Sequence, residues 1–174
     1  LATAPVDGAT VIIGDITNDA TIRQIRESLD GRVINTVISD ISPSLTGRYD
    51  TDQTISLELS TTVLDVAMDV LQPGGTFITK TFQGVGIEGL VEAARDRFSN
   101  VQRFAPTASR NSSSETYLIC RNKLPRTRKR GFGQTAMEQV SRHLEELGIL
   151  TEEQEDVDEE RAVGLRRISK KEEE

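Results

Sequence analysis

The sequence predicts an α/β fold built on a mainly parallel sheet. Three observations predict it. Short β-branched runs alternate with stretches of helical periodicity through Phe104. Glycine-containing or polar turns fall between them. The last two runs, Val101–Phe104 and Glu115–Cys120, are separated by a Ser-rich loop and no helix, so they read as antiparallel neighbours.

The elements follow in chain order. Residues 9–13 contain Thr10-Val-Ile-Ile13 and read as a strand ending at Gly14-Asp15. Thr17 or Asn18 can cap a helix running to about Leu29, with Ile22, Ile25 and Leu29 on one face and Gly31 to end it. Val33–Ile38 is the next strand, ending at Ser39-Asp40, and Ile41–Gln53 reads as a polar loop with Pro43 and Gly47. From about Thr54 to Leu71, Ile55, Leu59, Val63, Val66 and Val70 recur at three- and four-residue spacings, a wide apolar face suited to covering a sheet. Pro73 cannot continue that helix, and Gly74 and Gly75 turn the chain into a buried strand, Thr76–Gly84, that brings Lys80 to its carboxyl end. Glu88–Phe98 is a further helix with Leu90, Val91, Ala94 and Phe98 inward. Beyond Arg130, Thr135-Ala-Met-Glu138 has the spacing of a capping box, and Met137, Val140, Leu144 and Leu147 form an apolar stripe that Gly148 can close.

Length and charge bound the organisation. A chain of 174 residues suggests one domain with an appendage. Of its 28 acidic and 21 basic side chains, 13 and 6 fall in residues 138–174, so the whole net charge of −7 sits there and the rest is neutral. The acidity therefore does not exclude an anionic substrate for the body. Arg121, Lys123, Arg126, Arg128, Lys129 and Arg130 lie within ten residues and either neutralise phosphates or form a solvated linker. Cys120 is alone and cannot form an internal disulfide, which fits a reducing cytoplasm, and it reads as an inert buried thiol. No apolar run is long enough to span a bilayer, no signal-peptide pattern opens the chain, and no His/Cys cluster suggests a metal. His143 reads as a lone surface histidine.

In open α/β sheets, sites form beyond the carboxyl ends of the strands, and Asp15, Asp40 and Lys80 each sit at such an end. Lys80 is the residue that most needs an explanation, because a cation among Phe77, Ile78 and Phe82 is costly to bury. Either it snorkels from the strand end into solvent, or its pKa is lowered so that it can act as a base. Asp40 either faces a shared crevice or caps the Ser42 and Ser44 amides. Glu115 either joins that crevice or deters pairing at an edge strand.

Three blocks carry a resemblance: Ser39-Asp40-Ile-Ser-Pro43, Pro73-Gly-Gly-Thr-Phe-Ile-Thr-Lys80-Thr-Phe-Gln-Gly84 and Ser109-Arg-Asn-Ser-Ser-Ser-Glu115-Thr-Tyr-Leu. In order and spacing they resemble the FtsJ-type (RrmJ-like) ribosomal RNA 2′-O-ribose methyltransferases, over about residues 1–123. The resemblance implies a Rossmann-like, S-adenosylmethionine-dependent methyltransferase fold. It would lack its first two strands, because the family's Gly-rich donor loop and first catalytic lysine have no counterpart here. By motif, Lys80 matches the proton acceptor, and Asp40 and Glu115 match its carboxylate companions. Asp15 and Ile16 match the segment that meets the donor adenine, and Asp40 also lies against the donor. The implied substrate is RNA, by default a uridine of large-subunit ribosomal RNA, in the cytoplasm, with neither membrane nor metal.

Carboxylates favour the ammonium form of Lys80, whereas burial and a sulfonium favour the neutral amine. The expectation is that Asp40 and Glu115 orient Lys80 in the free protein and that donor binding tips it toward neutrality. The implied organisation is a methyltransferase domain over 1–123, a basic linker over 124–134 and a helical, acidic, partly disordered tail over 135–174. That tail reads as solvated, with a partner-docking helix as the alternative. Two competing readings are a non-catalytic RNA- or protein-binding remnant of the fold, and a fragment with exposed sheet edges.

Overall fold

The computed structural model of the chain describes residues 6–105, 115–128, 131 and 133–150. The Ser-rich loop, Lys129, Arg130 and the acidic run from residue 151 lie outside the described residues. The elements are α1 (Asp19–Leu29), β1 (Ile34–Ser39), α2 (Tyr49–Val70), β2 (Leu71–Phe82), α3 (Ile87–Arg97), β3 (Phe98–Phe104), β4 (Glu115–Lys123) and α4 (Ala136–Glu146).

One sheet forms, in the order β1-β2-β4-β3. β1 and β2 pair parallel, and β4 pairs antiparallel with both β2 and β3. β1, β2 and β3 thus point one way, as expected of strands joined by crossover helices. β4, the next strand after β3, slots back between β3 and β2, so two of the three ladders are antiparallel.

Three boundaries differ from expectation for physical reasons. Residues 9–13 form no strand; Val11 and Ile13 are exposed. A strand needs a neighbour for its backbone groups, and none of the four strands offers them one. α2 starts at Tyr49 instead of Thr54. The buried Asp52 carboxylate accepts from Thr46 N at 2.8 Å, Thr46 Oγ1 at 2.7 Å and Gly47 N at 3.1 Å, folding the loop onto the first turn. Those donors, the Thr46 N–H and then its hydroxyl foremost, hold its pKa below the usual carboxylate range. The turn at Pro73-Gly-Gly75 survives as an irregularity inside β2, whose register runs from Ile34↔Leu71 to Thr36↔Thr76. Gly74 takes φ +85 there, a left-handed conformation that favours glycine.

The core lies between one sheet face and α2, α3 and α4. Leu57, Leu64, Ala67, Phe77, Leu90, Phe98, Leu118 and Cys120 fill it, with the Phe77 and Phe98 rings stacked at 6.4 Å. Burial pushes the Cys120 thiol up to about 12, in keeping with an inert side chain.

The tail helix is neither solvated nor left for a partner: Ala136, Val140 and Leu144 belong to the same core. The expected capping box at Thr135 and Glu138 forms. The Asp65 carboxylate of α2 accepts from Ala136 N at 2.6 Å and Met137 N at 3.0 Å, meeting the positive end of α4. Arg97 donates to Gln134 O at 2.7 Å and Gln139 donates to Asp96 at 2.9 Å, tying α4 to α3. His143 is half-buried, not a free surface residue: it lies against α3 at Gly89, where a Cβ would approach the ring at 2.9 Å.

If α4 is an integral wall, Leu144→Ala leaves a cavity and lowers stability by about 2–5 kcal/mol. Urea denaturation of the 174-residue chain measures this, and a loss within about 0.5 kcal/mol would return α4 to the status of a tail.

Candidate active site

The parallel register of β1 and β2 builds the site. Ser39 lies opposite Thr79, so the next residue of each strand, Asp40 and Lys80, emerges side by side at the carboxyl ends. Lys80 Nζ meets Asp40 Oδ1 at 2.8 Å. The two side chains differ sharply in exposure, 11% for lysine and 76% for aspartate. The lysine is therefore not a free solvent-seeking side chain. It is a buried amine whose tip reaches a carboxylate at the rim.

The strand end beneath it is clamped by α2. Ser60 donates its hydroxyl to Lys80 O at 3.0 Å, and Phe82 N donates to Ser56 Oγ at 3.0 Å. Both serines are buried and sit one helical turn apart. Tyr49 donates to Gln83 O at 2.6 Å and Gln53 donates to Val85 O at 2.6 Å, fixing the loop that follows. Sequence reasoning missed these four positioning residues. The available signal was a set of hydroxyl and amide side chains recurring on the inner face of an apolar helix.

β4 supplies the opposite wall. Lys80 pairs with Tyr117, and Phe82 pairs with Glu115, which puts Glu115 and Tyr117 on the same sheet face as Lys80. The ionisation of Lys80 follows from this setting. Burial is the largest single effect and pulls its pKa down. The hydrogen bond and charge of Asp40, then the charges of Glu115 and Tyr117, together outweigh it, so the net shift is upward. A lysine poised as a neutral base is thus not what the free protein holds. Its carboxylates keep the ammonium form.

The other predicted residues separate. Asp15 Oδ1 accepts from Thr17 N at 2.9 Å and Thr17 Oγ1 at 2.8 Å, and these bonds lower its pKa. Ile16 packs half-buried against the core. Lys123 is spent inside the fold: its Nζ donates to Met68 O and Leu71 O, each at 2.5 Å, at the carboxyl end of α2. Burial lowers its pKa. Arg121 is exposed and donates to Gln102 at 3.2 Å, and Arg126 and Arg128 are exposed. Because β4 runs antiparallel to β2, Lys123 lies roughly 20 Å of strand from Tyr117, at the far end of the sheet from Lys80.

The residues present fit only part of an S-adenosylmethionine site. Asp40 offers a solvent-facing carboxylate. A Gly-rich loop opening onto a helix N-terminus is the usual cradle for a charged nucleotide-type ligand. No such loop opens α1 or α4, which are capped by Asn18 and Thr135, and α2 and α3 begin at Arg48 and Gly86 without a side-chain cap. Asn18 takes Ala20 N at 2.8 Å, Asp52 takes the Thr46 and Gly47 amides, and a Cβ at Gly84 would meet Gln53 at 2.5 Å.

Comparison with known proteins gives a consistent result. Residues 1–123 match the model of the FtsJ-like methyltransferase family. The ribosomal RNA large subunit methyltransferase E of Methanosarcina acetivorans is 37% identical over 128 residues, 74% of this chain and 47% of that protein. Its namesake from Chromobacterium violaceum is 41% identical over 115 residues, 66% of this chain and 56% of that protein. The chain thus spans about half the length of the curated relatives it matches. A crystal structure of a ribosomal RNA methyltransferase from Plasmodium falciparum superposes with a TM-score of 0.62 at 25% identity, covering 71% of this chain and 68% of that one.

The balance at Lys80 makes a signed prediction. A folded pKa above the unfolded value means that Lys80 stabilises the fold below the pKa of free lysine, and that this is lost as pH rises through the folded pKa. Asp40→Asn removes the two largest upward effects, so the Lys80 pKa falls from its value in the parent chain. NMR titration of the Lys80 ε-methylene in both proteins reads this directly; an unmoved or raised pKa in the variant contradicts it.

Proposed function

This chain belongs to the FtsJ-like methyltransferase family, and from that premise we propose that it carries the proton-handling half of a ribosomal RNA 2′-O-ribose methyltransferase. The observation that supports this reading is the Lys80–Asp40 pair at the carboxyl ends of two parallel strands, with Glu115 on the same face. A methyl donor such as S-adenosylmethionine, when bound, supplies an electrophilic methyl group. The chain's own residues supply the rest. Asp40 and Glu115 hold Nζ in place, and Lys80 accepts the proton of a ribose 2′-hydroxyl brought within about 3 Å.

Lys80 must first lose its own proton. Free lysine has a pKa of about 10.4, and in the free chain the carboxylates outweigh burial and hold this one above its ordinary value. Weakening the Asp40 contact, or placing positive charge beside Nζ, tips it to the neutral amine. Asp40, Asp15 and Ile16 contribute the donor contacts this chain can make. The relatives' names favour large-subunit ribosomal RNA as the substrate; a uridine as the nucleotide and the cytoplasm as the place of action are part of the proposal. Among the described residues no helix is long and apolar enough to cross a membrane. Arg121, Arg126 and Arg128, with Lys129 and Arg130 next in the sequence, are the candidate contacts to the RNA backbone.

A fusion of the donor-loop segment of a relative ahead of Leu1 should transfer labelled methyl groups from S-adenosylmethionine to large-subunit ribosomal RNA, in alkali-resistant 2′-O-methylated dinucleotides. Lys80→Met should lower the single-turnover rate by about 10²–10⁴-fold, the usual scale of a lost proton acceptor. RNA affinity should be nearly unchanged. Wild-type-like turnover in Lys80→Met, or methyl groups on bases instead of ribose, refutes the assignment.

Replacing Arg126 and Arg128 by alanine should weaken RNA binding and flatten the plot of log affinity against log salt by about 1–2. Filter binding at several salt concentrations measures it, and an unchanged slope leaves these arginines to linker duty.

A further inference from the structure

We propose that Phe104 is the stacking platform for an unpaired base of the RNA substrate, set in the same row across the sheet as Lys80. The inference rests on the functional reading above and names how that site takes hold of its substrate. Lys80 pairs with Tyr117, and Tyr117 pairs with Phe104. Residues opposite one another in antiparallel ladders share a face. Lys80, Tyr117 and Phe104 therefore form one strip on one face, from the amine to the outer edge of the sheet.

The strip changes character along its length. Lys80 is buried, Tyr117 is half-buried and close enough for its charge to act on Lys80, and Phe104 is 53% exposed. Its neighbour Arg103 belongs to the opposite face and is paired with Glu88 at 2.7 Å. The Phe104 ring thus stands without a charged neighbour on its own strand. Two strand spacings put it about 10 Å from Lys80, a distance that one nucleotide and its neighbour span from ribose to base. Unpaired RNA bases are characteristically held by stacking on aromatic side chains displayed on a sheet. An aliphatic side chain at the same place would offer apolar area but no flat face.

The chain contains no tryptophan, so Phe104→Trp introduces a single reporter indole. Titrating that variant of the 174-residue chain with a short single-stranded RNA should quench its emission along the binding curve. Phe104→Ala should weaken the affinity about 5- to 100-fold, the range for one lost base–aromatic stack. Phe104→Tyr should restore it and Phe104→Leu should not. Circular dichroism verifies the fold of each variant at this exposed position. Unquenched tryptophan in a bound complex, an affinity unchanged by Phe104→Ala, leucine serving as well as tyrosine, or a wild-type chain that binds no RNA would each overturn the proposal. Because the readout is binding, it is independent of methyl transfer. Stacking with no Lys80-dependent turnover would sink the catalytic reading and leave this one standing.

Discussion

The pairing of the Lys80 amine with the Asp40 carboxylate is the constraint on which the rest of the site depends. An ammonium with 11% of its side chain exposed is tolerable only with a partner of opposite charge. That partner is delivered by register, not by side-chain reach. Ser39 opposite Thr79 leaves Asp40 and Lys80 adjacent at the strand ends. A slip of one residue would turn Lys80 into the face that carries Phe77 and Thr79, which is packed beneath α2. The irregularity at Gln72–Gly75 and the Ser56 and Ser60 hydroxyl contacts therefore act on the chemistry. They hold β2 in the single register that keeps the lysine paired.

The same dependence shows what the sequence made legible. Asp40, Lys80 and Glu115 were readable because each stands at the end of a strand with clear β-branched or apolar character. The core face of α2 was readable from its apolar spacing. Its first turn was not, because Asp50, Asp52 and Gln53 carry no apolar period. Asp52 acts through loop amides instead. The run at residues 9–13 looked like a strand because β propensity is local, whereas strand formation needs a neighbour. Lys123 looked like part of a basic patch because charge was counted without direction. Antiparallel β4 aims it at the carbonyls ending α2. The apolar stripe of α4 was plain, but which surface it covers is a tertiary fact, decided by Asp65, Asp96 and Arg97.

The reversal of β4 also separates two kinds of surface. At its start, Glu115 and Tyr117 face Lys80. At its finish, Arg121 and Lys123 stand beside the end of α2 and the start of β3. A long polyanion touching both ends would cross the full sheet. On the proposed function, contacts at the basic end would add affinity without altering the geometry at the amine, and those nearest Lys80, Phe104 among them, would decide which ribose is presented.

The protonation of Lys80 ties these threads together. Burial alone would leave the amine closer to neutral, and the carboxylates reverse that. The free chain therefore holds the lysine well oriented but in the wrong charge state for accepting a proton. This arrangement has a physical advantage. A neutral, buried, unpaired amine would have to be held by packing alone, whereas the ammonium is held by directed charge-assisted bonds. On the proposed function, orientation would be secured while the group is inactive, and activation would require only that the local charge balance shift. Asp40 is the natural place for that shift, because it is the exposed member of the pair and the one a ligand at the rim would meet first.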